Sequence, residues 1–109
     1  MWILQAADLQ ENGGRRGGSA GSGPLIFRLG PGAIKTVGRA PRADFIVDAA
    51  LVSRLHCRVT ATDTDLEVVD LSSTNGTYVN DKRVHKARIG TGDRLRVGSV
   101  ELTVDRQSG

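Results

Sequence analysis

Short apolar runs separated by turn-forming residues dominate the pattern of this chain. Runs rich in valine, isoleucine, leucine and threonine are divided by glycine, proline, aspartate and asparagine about every 8–12 residues, which is typical of an all-β sandwich or barrel. The segment 55–61, LHCRVTA, alternates most clearly, with an apolar residue at every second position from Leu55 to Ala61. One face of that strand is therefore predicted to be buried and the other exposed. Helix signals are nearly absent.

The alternation predicts strands along the whole chain and turns between them. The predicted strands are residues 2–7, 25–29, 33–37, 45–47, 56–61, 66–70, 77–79, 83–86, 94–97 and 100–104. Polar residues at 63–64 and 98–99 predict hairpin tips. Asn75-Gly76, inside the segment DLSSTNGTYVN, carries the strongest short-range hairpin signal, because both residues tolerate a positive φ.

The length of 109 residues predicts a single domain, 1–109. Residues 12–23, NGGRRGGSAGSG, are rich in glycine and serine and predict a flexible loop within that domain. This segment lacks the Gly-Lys-Ser/Thr ending of a phosphate-binding P-loop. Residues 105–109 are expected to form a tail after the last strand. The same sequence fits a complete single-domain protein and the N-terminal module of a larger one.

Composition and charge indicate which classes of binding partner are compatible with this chain. The formal net charge of +3 and the isoelectric point of about 9.6 favour an anionic partner. The basic residues are scattered among acidic ones, and aromatic residues make up 4% of the chain, too few for a base-stacking platform. The single cysteine, Cys57, excludes an internal disulfide and a cysteine-based zinc site, and no metal or cofactor is expected. No apolar run approaches the length of a membrane span, about 18 residues.

Three short motifs in predicted loops carry the candidate chemistry. They are Gly38-Arg39, Ser53-Arg54-Leu55-His56, and Asn75-Gly76 followed by Asn80. Taken singly, they are compatible with a strand-ending glycine beside a surface arginine, a serine turn, and a simple hairpin. Serine and histidine lie only three positions apart, but no Gly-x-Ser-x-Gly elbow exists and the spacing points to no acidic partner. No enzyme activity is therefore predicted.

In this order the motifs resemble the forkhead-associated (FHA) domain family, which is marked by Gly-Arg, then Ser-x-x-His, then Asn-Gly and a following Asn. The resemblance covers about residues 25–104 and extends to the phrases ADFIVDAALVSRLHCRV, LEVVDLSSTNGTYVN and GDRLRVGSVEL. FHA domains are established readers of phosphorylated motifs. The resemblance implies an all-β, eleven-stranded sandwich of two sheets that binds phosphothreonine peptides through loops at one end.

The resemblance assigns the phosphate contacts to Arg39, Ser53, Arg54 and Thr74, and the contact with the peptide backbone to Asn75. Phosphothreonine carries close to two negative charges and three strong acceptor oxygens, so its binding requires several donors. The planar guanidinium of Arg39 suits a pair of phosphate oxygens better than a lysine would. Ser53 is expected to donate its hydroxyl proton, and Arg54 to add a second cation.

Four further residues are expected to support the site without contacting the phosphate. By resemblance these are Gly38, His56, Gly76 and Asn80. The two glycines permit backbone turns that other residues resist. His56 is expected to order the loops by hydrogen bonding across them, and Asn80 to fix the preceding loop through its amide.

The sequence thus predicts a non-catalytic phosphothreonine-peptide binding module that recruits Thr-phosphorylated partners in signalling by an upstream Ser/Thr kinase. It resembles stand-alone bacterial FHA adaptors or an N-terminal FHA module, and the expected location is cytoplasmic, or nuclear for a eukaryotic module. No membrane partner is predicted. Uncharged residues at 49–52 predict a mildly apolar preference at the third residue after phosphothreonine. Two alternatives are a basic β-barrel that binds nucleic acid, which the scattered charge disfavours, and an FHA-fold scaffold whose interactions need no phosphorylation.

Overall fold

The computed structural model describes residues 1–6 and 24–107, so the predicted loop at 12–23 lies outside the described residues. The described part of the chain forms eleven strands and contains no helix. The strands are β1 (Trp2–Ala6), β2 (Leu25–Leu29), β3 (Ile34–Gly38), β4 (Phe45–Ile46), β5 (Cys57–Ala61), β6 (Leu66–Asp70), β7 (Thr77–Val79), β8 (Lys82–Val84), β9 (Lys86–Ile89), β10 (Arg94–Val97) and β11 (Val100–Arg106).

Two sheets hold these strands. One sheet has six strands in the order β2-β1-β11-β10-β7-β8, and the other has five in the order β4-β3-β5-β6-β9. Neighbouring strands pair antiparallel except β3 and β4, which run parallel. The predicted eleven-stranded sandwich of two sheets is confirmed. In the described ranges there is no helix long and apolar enough to cross a membrane.

The core lies between the two sheets. Successive side chains of a strand point to opposite faces, so every second residue is buried in β5, in β10 and in β11 up to Val104, while the residues between them are half-buried or exposed. The largest fully buried apolar side chains include Leu4, Leu29, Leu66, Leu95 and Leu102. This packing gives a rigid scaffold from which the connecting loops project.

The predicted strand 83–86 is wrong, because the structure divides this segment between the two sheets. β8 pairs with β7 in the six-stranded sheet, whereas β9 pairs with β6 in the other. His85 lies between them, and its carbonyl accepts the Asp70 backbone N–H at 2.9 Å. The segment KRVHKARI has no glycine or proline to mark the change of sheet.

The last strand is longer than the sequence predicted. β11 continues to Arg106, because Asp105 and Arg106 pair with Ile3 and Trp2 of β1. The expected tail from residue 105 is therefore wrong for its first two residues. The two charged residues continue no apolar alternation, so the sequence pattern does not indicate that they pair with β1, which lies almost a whole chain length away.

Two hairpin tips are confirmed and one is wrong. Residues 63–64 lie in the turn between the paired residues Ala61 and Leu66, and 98–99 join the pair Val97 and Val100. Asn75-Gly76 forms no hairpin, since β6 and β7 belong to different sheets. The two-residue turn with positive φ at both positions is Asn80-Asp81, with φ of 49° and 70°, between β7 and β8.

Candidate functional site

Loops 39–44, 47–56, 71–76 and 98–99 meet at one end of the sandwich. Hydrogen bonds join the second loop to each of the others, through Ser53 to Arg39 and Thr74 and through Ala50 to Ser99. They enclose an open cleft of about 830 Å³. Its lining residues are Arg39, Asp48, Ala49, Ala50, Leu51, Val52, Ser53, Arg54, Leu55, Ser72, Thr74 and Asn75. All five predicted contact residues are in this lining.

Arg39 lies directly after β3, and its side chain is held by the neighbouring loop. Its backbone N–H donates to the carbonyl of Ser53 at 3.0 Å, and its Nε–H donates to the carbonyl of Val52 at 3.1 Å. The side chain is exposed, and no hydrogen bond or ion pair within the described residues occupies its terminal amino groups. The Nε bond therefore fixes the guanidinium while leaving its two outer donors for a ligand.

Gly38 allows the end of β3 to approach the loop 47–56 closely. A Cβ at Gly38 would lie 2.0 Å from the carbonyl oxygen of Arg54 and 2.9 Å from Cα of Leu55. Because both atoms belong to the backbone, a larger residue would displace the loop. The close approach brings the Ala40 N–H within 3.1 Å of the Arg54 carbonyl.

His56 connects two of the loops from inside the protein. Its side chain is fully buried, its Nδ1 accepts the Ser53 backbone N–H at 3.0 Å, and its Nε2 lies 2.8 Å from the carbonyl oxygen of Gly76. A backbone N–H can only donate and a carbonyl can only accept, so the ring is neutral and carries its proton on Nε2. Both ring nitrogens are thus occupied, and the imidazole ties loop 47–56 to loop 71–76.

Ser53 and Thr74 meet across the cleft. The Thr74 backbone N–H donates to Oγ of Ser53 at 3.0 Å. Since this hydroxyl accepts a bond from the protein, its own proton is available to donate to a ligand. Nearby, the Asn75 Nδ2 donates to the carbonyl of Leu51 at 3.2 Å, and this exposed side chain forms no other hydrogen bond within the described residues.

Asp70, which the sequence analysis missed, organises the loop 71–76. Its carboxylate accepts the backbone N–H and the hydroxyl of Ser73 and the hydroxyl of Thr77. The Ser73 hydroxyl in turn accepts the Gly76 N–H at 3.0 Å. Aspartate is a recognised turn residue because its carboxylate accepts hydrogen bonds from nearby backbone N–H groups, and this signal could have drawn attention to Asp70 in the sequence.

The same contacts lower the pKa of Asp70. Burial raises the pKa, but the hydrogen bonds from Ser73 and Thr77 outweigh it and hold the value below the ordinary 3.8. A lowered folded-state pKa contributes stability that is complete above the unfolded value and is lost as the pH falls through the folded one.

We expect Asp70→Asn to lower the free energy of unfolding at neutral pH by about 1.5–3 kcal/mol, the range for hydrogen bonds to a charged group. The difference from the parent protein should shrink as the pH falls from the ordinary pKa of 3.8 through the lowered folded-state pKa, because Asp70 then becomes protonated and uncharged like the asparagine. Urea unfolding at a series of pH values measures this difference in the free energy of unfolding. Asp63→Asn, at an exposed hairpin tip, makes the same charge change and should leave stability unchanged. A pH-independent difference would show that the charge of Asp70 is not the cause.

The hairpin between β10 and β11 supports one wall of the cleft. Leu51, at the rim, adopts a positive φ of 68°, and a Cβ at Gly98 would lie 2.6 Å from its carbonyl carbon. The Ser99 N–H donates to the Ala50 carbonyl at 3.1 Å. A left-handed conformation is costly for leucine, so the hairpin holds this rim in a shape that the loop would not adopt alone.

The predicted support from Asn80 is not seen, because this residue lies at the far end of β7 from the cleft. Its Nδ2 donates to Asp93 at 3.0 Å, and its Oδ1 accepts the Arg94 N–H at 2.9 Å. Asn80 therefore fixes the start of β10 and not the loop that precedes β7. Gly76 does lie in the loop 71–76 beside the cleft, with a positive φ of 90° that glycine adopts freely.

Chemically, the cleft is suited to a polyanionic ligand. Arg39 and Arg54 supply two exposed cations against the single carboxylate of Asp48. Residues 1–6 and 24–107 contain no cluster of three or more side chains able to hold a metal ion. Burial, and then the nearby Asp70 carboxylate, raise the pKa of Cys57 to about 12, so this thiol is unreactive.

A two-sheet sandwich whose loops present arginine, hydroxyl and amide groups at one end has the architecture of a β-sandwich domain that binds its ligand through those loops. The FHA domain family model matches residues 35–98, and the chain belongs to this family. The resemblance seen in the sequence is thereby confirmed.

Two curated relatives illustrate the family relationship. An oxoglutarate dehydrogenase inhibitor of Corynebacterium diphtheriae is 36% identical over 92 residues, which cover 76% of this chain and 64% of the relative. The glycogen accumulation regulator GarA of Mycobacterium tuberculosis is 38% identical over 88 residues, which cover 81% of this chain and 52% of GarA. The chain thus spans less than two thirds of the length of either relative.

Solved structures share the fold over nearly the whole chain. A domain from a structural study of phosphothreonine-dependent FHA domain interactions superposes with a TM-score of 0.74 at 27% identity, covering 100% of both chains. The FhaA FHA domain, solved with the intracellular domain of Rv3910, gives a TM-score of 0.72 at 29% identity and covers 95% of this chain and 99% of that one.

Proposed function

We propose that this chain is a non-catalytic module that binds phosphothreonine peptides and recruits Thr-phosphorylated partners in Ser/Thr kinase signalling. The observation that carries the proposal is the convergence of Arg39, Ser53 and Thr74 on one cleft, with Arg54 beside them. A relative solved in a study of phosphothreonine-dependent interactions supports it. The expected place of action is the cytoplasm.

The phosphate is bound by donors that the fold has already placed. Arg39 offers its two terminal amino groups, and Ser53 offers the hydroxyl proton that its bond with the Thr74 N–H leaves available. Arg54 adds a second cation, and the Thr74 hydroxyl adds a further donor. Because hydrogen bonds inside the protein fix Arg39 and Ser53, little ordering entropy is lost on binding.

Asn75 binds the peptide backbone beside the phosphothreonine. Its amide is anchored through one Nδ2–H to the carbonyl of Leu51, and the free oxygen and second hydrogen form a donor and acceptor pair. A peptide group presents the complementary pair. His56 and Gly38 hold the loops in place, and Gly76 forms the turn that follows Asn75.

The geometry of His56 argues against catalysis at this site. Its Nδ1 and Nε2 are both occupied by backbone groups, and the ring is fully buried. A general base must accept a proton from a reacting group within hydrogen-bond reach. His56 therefore acts as a connector between loops.

A phosphothreonine peptide library with matched phosphoserine and unphosphorylated libraries tests the function. The loops at 53–56 and 72–76 are proposed to enclose the threonine methyl group, which is worth about 1–3 kcal/mol in a fitted pocket. We expect phosphothreonine to bind roughly 10–200-fold more tightly than phosphoserine. The library also identifies the residue preferred three positions later, which we expect to be apolar. Equal binding of phosphorylated and unphosphorylated peptides would overturn the proposal.

Ser53→Ala should weaken phosphothreonine binding by about 1.5–3 kcal/mol, the range for losing a hydrogen bond to a charged group. It also removes the acceptor of the Thr74 N–H, so the loop 71–76 should become less ordered. Isothermal titration calorimetry with the best library peptide measures the loss. Thr64→Ala, at an exposed turn outside the cleft lining, is the control and should bind at full strength. An unchanged affinity of Ser53→Ala would remove Ser53 from the site.

The surplus of positive charge supports a second candidate, nucleic-acid binding. Binding through several phosphates of a duplex should weaken steeply as salt rises, whereas a phosphopeptide contacts one phosphate and should respond mildly. A salt titration with a DNA duplex and with the phosphopeptide separates them. The remaining alternative is an FHA-fold scaffold whose interactions need no phosphorylation. Phosphatase treatment of a bound partner tests it, since such a scaffold would keep that partner.

A further inference from the structure

The outer face of the six-stranded sheet carries a group of basic and aromatic side chains. Tyr78 of β7 lies directly opposite Arg83 of β8 on one side and Arg96 of β10 on the other. Residues opposite one another on paired strands share a face, so the three side chains form one surface, called here the 78/83/96 surface. The guanidinium of Arg96 lies 4.1 Å from the centre of the Tyr78 ring.

Among the residues that the structure describes, the two arginines of this surface have no anionic partner, although carboxylates are near. Arg94 is neutralised by Asp81 at 3.4 Å and by Glu101 at 3.6 Å. Glu101 is the register partner of Arg96, yet its carboxylate forms its ion pair with Arg94. In the part of the chain that the structure describes, Arg83 and Arg96 form no ion pair. Their charges are therefore available to a ligand.

The 78/83/96 surface adjoins the cleft. A Cβ at Gly76 would lie 2.6 Å from Nε of Arg83, so the Arg83 guanidinium lies against the loop 71–76. Gly76 directly follows Asn75, which lines the cleft and is proposed to bind the peptide backbone. A peptide that leaves the cleft past Asn75 would meet Arg83 next, and then Tyr78 and Arg96.

We propose that the 78/83/96 surface binds an acidic segment of the same partner whose phosphothreonine occupies the cleft. The ligand chemistry is carboxylate or a second phosphate, which the planar guanidinium groups of Arg83 and Arg96 match in charge and geometry. The Tyr78 ring adds apolar contact beside the charges. This surface rests on the proposed function, and it gives the module selectivity for phosphothreonine sites with acidic flanking sequence. Charged pairs at the rim of an interface act mainly on specificity and association rate.

Extended peptides test this surface by fluorescence anisotropy. The best library phosphothreonine peptide is compared with the same peptide carrying four glutamates, four serines or a phosphoserine, on its N-terminal or its C-terminal side. We expect the acidic extensions on one side to tighten binding roughly 3–10-fold at low salt, from two exposed ion pairs. The gain should disappear at about 1 M salt, where exposed charges are screened. Comparing glutamate with phosphoserine shows whether carboxylate or phosphate is preferred.

The variant Arg83→Gln/Arg96→Gln should lose the gain and keep the affinity for the unextended peptide. Arg28→Gln is the matched control, because Arg28 is exposed on β2 at the opposite edge of the same outer face. It should keep the full gain. Thermal unfolding checks the fold, and the single variant Arg96→Gln, which should lose part of the gain, substitutes if the double variant is unstable.

Four outcomes would overturn this assignment. If the acidic extensions do not tighten binding, the surface does not bind an acidic segment. The same conclusion follows if Arg28→Gln loses as much of the gain as Arg83→Gln/Arg96→Gln. Tight binding of a DNA duplex that depends on Arg83 and Arg96, with no gain from acidic peptides, would assign the surface to nucleic acid. If the unextended phosphothreonine peptide does not bind at all, the proposed function fails together with this surface.

Discussion

Replacement of Arg39 with alanine is expected to abolish phosphothreonine-peptide binding while the protein remains folded. The guanidinium is exposed in the cleft and is fixed by its Nε bond to the Val52 carbonyl at 3.1 Å. Removing one partner of a hydrogen-bonded charge pair costs about 2–5 kcal/mol, a loss of roughly 30-fold to several thousand-fold in affinity. Isothermal titration calorimetry measures the loss, and thermal unfolding checks that the fold is kept.

Two further variants test whether the guanidinium of Arg39 itself is required. Arg39→Lys keeps the charge but loses the Nε–H donor and the planar fork, so it should also bind poorly. Arg42→Ala removes an exposed arginine from the same loop but outside the cleft lining, and it should bind at full strength. Parent-level binding by Arg39→Ala would show that the phosphate lies elsewhere.

The second large effect is expected for His56→Ala, which should lose both stability and affinity. The ring is fully buried and bonds the Ser53 N–H at 3.0 Å and the Gly76 carbonyl at 2.8 Å. Its removal leaves a buried donor and a buried acceptor without partners, each at about 1–3 kcal/mol. We expect a total loss of about 2–5 kcal/mol in the free energy of unfolding, with the melting temperature falling by about 4–8 °C per kcal/mol.

The other histidine of the chain provides the control. His85 is exposed between β8 and β9, its backbone carbonyl accepts the Asp70 N–H, and its side chain forms no hydrogen bond with any described residue. His85→Ala should therefore change neither the urea unfolding midpoint nor the affinity for a phosphothreonine peptide. If His56→Ala binds the peptide as tightly as the parent while its stability falls, the link between the loops is structural and does not position the site.

Local pattern was sufficient for most of the strands. Alternation in LHCRVTA placed Cys57, Val59 and Ala61 on the buried face, because the period of a strand is two residues regardless of its neighbours. The hairpin tip at 98–99 was also predictable, because the turn is specified by these two adjacent residues and not by distant ones. The predicted contact residues could be named because they belong to short motifs in a fixed order.

Features that depend on distant partners were not predictable from local pattern. Asn75-Gly76 has the composition of a hairpin turn, but β6 and β7 pair with strands of different sheets. The change of sheet between β8 and β9 has no local signal, because it is decided by which neighbour each short strand can pair with. The supporting role of Gly98 depends on its contact with Leu51, far away in the sequence.

The sequence by itself determined the fold class, the family and the five predicted contact residues, all of which line the cleft. The tertiary structure decided how those residues are held: His56 joins two loops, Asp70 organises one of them, and Asn80 belongs to the other end of β7. It also placed Arg83 and Arg96 on one face beside the cleft, where neither forms an ion pair with any described residue. The physical reason is range, because periodicity and turn chemistry act over a few residues, whereas a site is assembled by hydrogen bonds between loops that are distant along the chain.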